Sequence, residues 1–235
     1  MARRRVNTTK LEIIQAATRM FLEKGYSATS IKAIADQLDM STGHLTFYFP
    51  TKDHLLAKLV GMLCSFQWAM VKRYVEEGES LLMAVCLELT SMAAICEENE
   101  VAKDFYLSAY TSPLTLEIIR KNDGQRAKLV FGEYCQDWAE EQFAEAETLV
   151  SGIEYATMMT TEYSAPIDTR ISGALNNIMM IYQVPEETRR QKIQRVLAMD
   201  YTAIGRAVLQ EFIAYIEETT EQAFEELLEG KGSGL

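Results

Sequence analysis

Residues 41–52 read STGHLTFYFPTK. Small polar residues open the stretch, three aromatics (Phe47, Tyr48 and Phe49) crowd its end, and Pro50 and Lys52 follow at once. A core segment does not open on Ser-Thr-Gly, and a plain surface segment does not show three rings together. The flanking residues decide between them. Upstream, Ile31, Ile34, Ala35 and Leu38 recur at helical spacing, and Thr29 or Ser30 stands where a cap belongs. Before them Leu11, Ile14, Ala17 and Phe21 make another stripe, with Thr9 and Glu12 spaced as a capping box and Gly25 placed as the left-handed stop. Residues 10–50 therefore predict three short helices, the third opening near Ser41 and running to Phe49. Pro50 and Thr51 break the chain, and Thr51 caps a fourth helix with Asp53 in its first turn. The second and third helices are so close in sequence that they form a helix-turn-helix unit. Such a unit needs a small residue at the crossing, which Ala35 supplies. It also needs a turn residue that accepts a positive φ; here that is Asp39, of a type tolerated there. Met40 and Leu45 are the apolar plugs between the two helices. A generic helical hairpin has the same spacing.

Charge separates the chain into two parts. The 235 residues carry a formal net charge of −11, which taken whole argues against a nucleic-acid partner. Residues 1–60, however, hold nine Lys/Arg against five Asp/Glu, and the remainder holds fourteen against twenty-nine. A basic first quarter before an acidic body points to nucleic-acid or membrane contact at one end. Cys64, Cys86, Cys96 and Cys135 form no C-x-x-C pair, and only His44 and His54 could join them, so a metal site is not expected. They read as reduced core thiols. No secretory pattern opens the chain and no apolar run reaches membrane-spanning length, so a cytoplasmic protein is expected. No phosphate-binding glycine loop or catalytic constellation is present, so neither an enzyme nor a cofactor is expected.

The run AATRMFLEKGYSATSIKAIADQLDMSTGHLTFYFPTKDHLL resembles the DNA-binding domain of the tetracycline-repressor (TetR) family of transcriptional regulators. The matching residues are Ala16-Ala17, Phe21, Gly25-Tyr26, Thr29-Ser30, Ile34-Ala35, Ser41, Gly43, Leu45, Tyr48-Phe49, Lys52 and Leu55-Leu56. Asp39 departs from the family's turn glycine, His44 from a small residue or threonine, and Thr46 from tyrosine. The last two positions face DNA in the family, so they bear on which operator is read. The resemblance fades after about Leu59.

On a helix beginning near Ser41 the early residues meet base edges in the major groove. Thr42 and His44 can hydrogen-bond there, Gly43 allows close approach, and Phe47 can lie against a thymine methyl or the sugar backbone. Thr46 and Tyr48 offer hydroxyls to phosphates. Lys52, beside the open N–H groups of the fourth helix, is placed to hold a phosphate, as are Thr29 and Ser30 at the second helix and Ser41 at the third. Lys32 is placed to reach a base or a phosphate. Pure capping by Thr29 and Ser41, a solvated Lys52 and a surface His44 are the plain alternatives. Arg3, Arg4 and Arg5 form a basic arm that either tracks the DNA or is disordered within residues 1–7.

The domain boundaries expected are 1–51 for the head, 52–229 for a helical body and 230–235 for a disordered tail. Helices are predicted over 52–76, 80–98, 113–121, 124–142, 144–163, 168–183 and 186–228. The resemblance implies that some of the body's soft side chains border a small-molecule cavity; the candidates are Phe66, Met83, Cys86, Phe105, Tyr106, Tyr110, Tyr134, Trp138, Tyr155 and Met159. The aromatic and Met-rich body with its excess carboxylates suggests an apolar or cationic-amphipathic effector, with Asp104, Glu154 and Glu162 as candidate counter-charges and a solvated surface role as the plain alternative for each. A late stripe of Ile171, Leu175, Ile178, Tyr182, Leu197, Tyr201, Ile204, Val208 and Phe212 suggests a four-helix bundle between two copies, with packing inside one chain as the plain alternative. The resemblance likewise implies a homodimer on a palindromic operator. The whole reads as an all-α regulator released from double-stranded DNA by an effector. An all-α enzyme, or a DNA-binding adaptor without an effector, is the alternative.

Overall fold

The computed structural model describes residues 2–76 and 80–229. Among them every regular element is a helix: α1 (Ala2–Lys24), α2 (Ile31–Gln37), α3 (Thr42–Tyr48), α4 (Lys52–Glu76), α5 (Leu81–Glu98), α6 (Glu100–Thr111), α7 (Pro113–Phe131), α8 (Glu140–Met158), α9 (Ile167–Ile181), α10 (Glu186–Leu197) and α11 (Tyr201–Glu229). The all-α class is as expected, and no helix among these residues is long and apolar enough to cross a membrane.

Several boundaries differ from the sequence reading, each for a local reason. The backbone of α1 is helical from Ala2, so Thr9 lies inside the helix rather than capping it, and Arg3–Arg5 are the helix's first turns rather than a separate arm. The stretch after α5 is a helix of its own. Asn99 caps it, its Oδ1 accepting the N–H groups of Val101 and Ala102 at 3.0 Å. Residues read as a break around Gly124 instead continue α7, because a lone glycine costs a helix only about 1 kcal/mol. One long final helix is in fact two, separated at Ala198–Asp200. The expected tail at 230–235 lies outside the described residues.

The head packs α1–α3 and the start of α4 around Phe21, Ile34, Leu45 and Leu56, all without solvent exposure. Ser30 and Ser41 cap α2 and α3, accepting from the N–H groups of Ala33 and His44. The turn between those helices closes as expected, with Asp39 at φ 50. The Asp39 N–H bonds to Asp36 O and the Met40 N–H to Ala35 O, the paired bonds of a Schellman stop.

In the body α5 is central, packed by α4, α6, α8, α9, α10 and α11. Gly205 lets α11 approach α5 closely: a Cβ there would stand 2.9 Å from the Ser91 carbonyl oxygen. This packing corrects the expected dimer stripe. Ile171, Leu175, Ile178, Tyr182 and Phe212 are at most 3% exposed within one chain, and Leu197, Tyr201, Ile204 and Val208 pack half-buried on the same core. An apolar helical stripe says that a face is covered; it does not say by which chain. The four cysteines are free and buried, and burial pushes the Cys64, Cys86 and Cys96 thiols up to about 12.

The body also has a polar interior. Arg126 of α7 makes a two-pronged pair with Glu88 of α5 and a further bond, 3.2 Å, to Asp123. Asp123 also accepts from Asn122 at 3.0 Å, and Asn122 in turn accepts the Trp68 indole N–H of α4 at 2.8 Å. From α8, Glu147 accepts the Tyr182 hydroxyl and Glu154 the Tyr110 hydroxyl. Arg126 and Glu147 are buried; Glu88, Asp123 and Glu154 are partly so. Burial favours the neutral acid, and the neighbouring carboxylates add to it. Glu147 is thereby pushed up to about 8, and Glu154 well above its ordinary range, by burial and by the charge of Asp123. Burial also raises Asp123, against the pull of Arg126.

The sign of the linkage follows. A carboxyl raised by folding holds its proton in the native state after the unfolded chain has lost it, so its stabilising contribution is complete below about pH 4.5 and lost as pH rises to about 8. Within that window each such group lowers stability by about 1.4 kcal/mol per pH unit. Urea unfolding is expected to show a lower midpoint at pH 8 than at pH 6. Glu147→Gln is expected to make that decline shallower by one proton's worth, and an unchanged decline would place the titration elsewhere.

Candidate nucleic-acid interface

The opening stretch resolves into two faces of α3. Leu45 and Phe49 turn inward and are buried, as expected. Ser41, Thr42, Gly43, His44 and Phe47 are exposed, Phe47 at 78%. Nothing lies within 4 Å of where a Gly43 Cβ would be, so no packing inside the chain requires a glycine there. Tyr48 is half-buried against the head's core, with its ring 5.3 Å from that of Phe47 and 5.4 Å from that of His44. Thr46 is half-buried and its hydroxyl donates back to Gly43 O at 3.3 Å. The exposed face is thus short, uncharged and rich in hydrogen-bonding and ring groups.

Two expected contacts are corrected. Thr29 is only 2% exposed, and its hydroxyl donates to Gly25 O at 2.8 Å, so the side chain closes the α1–α2 turn from inside. Lys52 is not a free phosphate ligand. Its Nζ donates to Tyr26 O at 2.8 Å and Thr29 O at 3.0 Å and sits 3.9 Å from the centre of the Tyr26 ring. Burial lowers its pKa, partly opposed by Asp104 and Asp53. The Tyr26 hydroxyl donates to Asp53. Spacing placed Lys52 beside the interface; only the fold shows that carbonyls of the α1–α2 turn already take its protons. Ser30 and Lys32 are exposed, with Lys32 2.8 Å from Asp36 in a surface pair that costs little to open.

The same turn is held from the body. Asp104 of α6 accepts from the Ser27 N–H at 2.8 Å and from the Ser27 hydroxyl. Gly25, at φ 95, leaves room for that carboxylate: a Cβ there would be 2.9 Å from Asp104 Oδ2. Asp104 is therefore a head–body link rather than an effector counter-charge, and Glu162 is exposed at the surface.

Among the cavities of the body, two small ones adjoin α5 at Glu88. One, about 40 Å³, is apolar, with Phe66, Met70, Met92, Tyr106 and Phe212 in its wall and Gln67 and Glu88 at its polar edge. The other, also about 40 Å³, is bounded by Glu88, Asp123, Arg126, Glu147, Glu154 and Tyr182. Of the ten pocket candidates only Phe66 and Tyr106 line the first cavity, and none lines the second. Tyr110 adjoins it through Glu154. Met83, Cys86 and Phe105 are buried core, Tyr134, Trp138 and Tyr155 are half-exposed packing residues, and Met159 is at the surface. Phe212 and Tyr182, expected between subunits, line the cavities instead. Glu147, which sequence reasoning missed, had a signal: with Glu154, already a candidate counter-charge, it shares the apolar face of α8 with Phe143, Val150 and Met158.

Residues 13–59 match the bacterial regulatory proteins, tetR family. Over 106 residues, 45% of this chain and 36% of its own length, the uncharacterized HTH-type transcriptional regulator YuxN of Bacillus subtilis (strain 168) is 27% identical. The probable HTH-type transcriptional regulator YttP of the same organism is 40% identical over 53 residues, 23% of this chain and 26% of its own. The match thus spans 36% of the length of the first of these curated relatives and 26% of the second. A solved TetR/AcrR family transcriptional regulator from Thermobifida fusca YX-ER1 is similar over 74% of this chain and 97% of its own, at 19% identity and a TM-score of 0.44. The likeness to the tetR family of bacterial regulatory proteins thus rests on the module at residues 13–59 of this chain.

Proposed function

We propose that this protein is a transcriptional regulator that reads a palindromic operator through α3 and leaves it when a small molecule enters the body. The exposed, uncharged face of α3 carries the reading: Thr42, His44 and Phe47 stand clear of the protein on a helix whose other side is locked into the head. A helix so presented suits base edges, while the basic head supplies the attraction to phosphate. Residues 1–51 serve as the head and 52–229 as the body.

Coupling runs through α6. Asp104 holds the Gly25–Ser27 turn, and further along the same helix Tyr106 reaches the apolar cavity and Tyr110 the acidic one. A ligand that shifts α6 by a fraction of a turn pulls on the head. A coupling of about 1–3 kcal/mol between the two sites is ordinary for such systems. Bound to its operator the protein represses, and the ligand is the releasing signal.

A palindrome needs two heads. The second half of α8 and α9 from its middle onward present an outward face without charge in an otherwise acidic body: Leu149, Gly152 and Ala156 with the C-cap Met159 on one side, Gly173, Asn177 and Met180 on the other. Neither Gly152 nor Gly173 has anything within 4 Å of its would-be Cβ, which leaves room for another helix. This face is the proposed homodimer contact.

Two measurements test these assignments. In anisotropy titrations on an operator, His44→Ala is expected to cost about 1–3 kcal/mol at one base pair per half-site and to leave the salt dependence unchanged. Lys52→Ala is expected to lower the melting temperature and weaken all sequences alike without flattening the salt slope, because its ammonium is bound internally. Equal loss of sequence preference in both variants would remove α3 from the groove. For the dimer, Leu149→Asp with Met180→Asp is expected to give monomers by sedimentation while leaving the fold intact, since both side chains are exposed in the protomer. A dimer that persists would exclude this face.

A further inference from the structure

The two body cavities meet at Glu88, which lines both. On one side of it lie Phe66, Met70, Met92 and Phe212; on the other lie Asp123, Glu147 and Glu154 with Arg126 as the cationic partner. Four carboxylates and one guanidinium in so enclosed a place carry a formal charge of −3, an arrangement that folding alone penalises heavily. No three acidic, histidine or cysteine groups among the described residues come together as a metal site, so an inorganic ion is not what the arrangement fits. A second observation points outward from the protein. Arg126 is 6% exposed, lines the acidic cavity, and has its Nε buried without a hydrogen-bond partner. An acceptor from outside the chain completes it.

We propose that the joined cavities bind an amphipathic amine, its apolar body among Phe66, Met92 and Phe212, its ammonium among Glu88, Asp123, Glu147 and Glu154, and a hydroxyl or carbonyl oxygen beside the nitrogen accepting from Arg126 Nε. This deepens the ligand-responsive reading given above and rests on it. The cation replaces protons that the buried acids otherwise hold. The groups facing the ammonium are Glu88 from α5, Tyr110 from α6, Asp123 and Arg126 from α7, Glu147 and Glu154 from α8 and Tyr182 from the C-cap of α9. Cys64 on α4 stands within electrostatic reach of them, and Arg120 of α7 bonds to the Ser151 hydroxyl between the two glutamates. Of these, Glu147 and Glu154 are the acids with most proton to surrender near neutral pH. Binding therefore releases protons and tightens as pH rises. The methionines at positions 70 and 92 are the side chains suited to yield as a larger body enters.

The test is calorimetry on the full chain with leucinol, hexylamine, hexanol and hexanoate. The two amines are expected to bind, leucinol the tighter for its size, with hexanol at least about tenfold weaker and hexanoate not bound. Amine affinity is expected to rise up to about tenfold per pH unit between about pH 6 and 8, with proton release seen as a dependence of heat on the buffer. Glu147→Gln and Glu154→Gln keep an oxygen for the Tyr182 and Tyr110 hydroxyls. Each is expected to weaken amines about tenfold, to flatten the pH dependence, and to leave hexanol unchanged. If hexanol matches hexylamine at every pH in the unaltered protein, or if hexanoate binds best, the amine proposal is overturned while a ligand-responsive regulator stands. If the amines bind as described and the DNA complex ignores them, the site stands and the regulatory reading falls.

Discussion

The ammonium of Lys52 ties the head together. From the first turn of α4 it reaches the carbonyls of Tyr26 and Thr29 and lies over the Tyr26 ring, while the Tyr26 hydroxyl goes to Asp53 one residue further on. This fixes α4, the first helix of the body, against the α1–α2 turn. The angle at which α2 leaves that turn sets where α3 lies. The opposite side of the turn is held by Asp104 of α6, so two body helices grip one four-residue segment. Buried charge of this kind is costly unless fully partnered. Here carbonyls and a ring supply the partners, and the result is a rigid joint rather than a flexible linker.

In the proposed ligand-responsive reading, this joint is what connects the body's interior to the surface of α3. The helix that holds the head also walls the cavities, and the residues at its two ends touch different parts of the molecule. A displacement inside the body has no slack segment in which to dissipate. The acidic interior adds a second constraint, because its charges are satisfied at neutral pH only by keeping protons or by taking up a cation. Stability and the proposed ligand chemistry are therefore governed by the same few side chains on α5, α7 and α8.

Much of this was legible in the sequence, and the division follows physical range. Local signals held: Ser30 and Ser41 as caps, Gly25 and Asp39 as left-handed stops, and Leu45 and Phe49 turned inward are all fixed by neighbours within a few residues. Tertiary assignments failed where a pattern fitted more than one partner. The apolar stripes of α9 to α11 signalled burial, and the partner proved to be α5 of the same chain. Lys52 and Thr29 sit in the right place to meet phosphate, yet carbonyls 23 and 26 residues away in the chain hold one, and the other closes the turn from within. The acidic cluster was the hardest to see. Glu88, Asp123, Glu147 and Glu154 lie on three helices, and only Glu154 was singled out, because carboxylates in sequence ordinarily mean solvent.

The central claim is that α3 reads DNA as one of two symmetric copies. Repeated selection of the full chain against a pool of random-sequence duplexes tests it most directly. The account predicts enrichment of an inverted repeat whose half-sites lie about one helical turn, or a small multiple of it, apart. Enrichment of no sequence, or of a single unrepeated site bound by one chain, would contradict it.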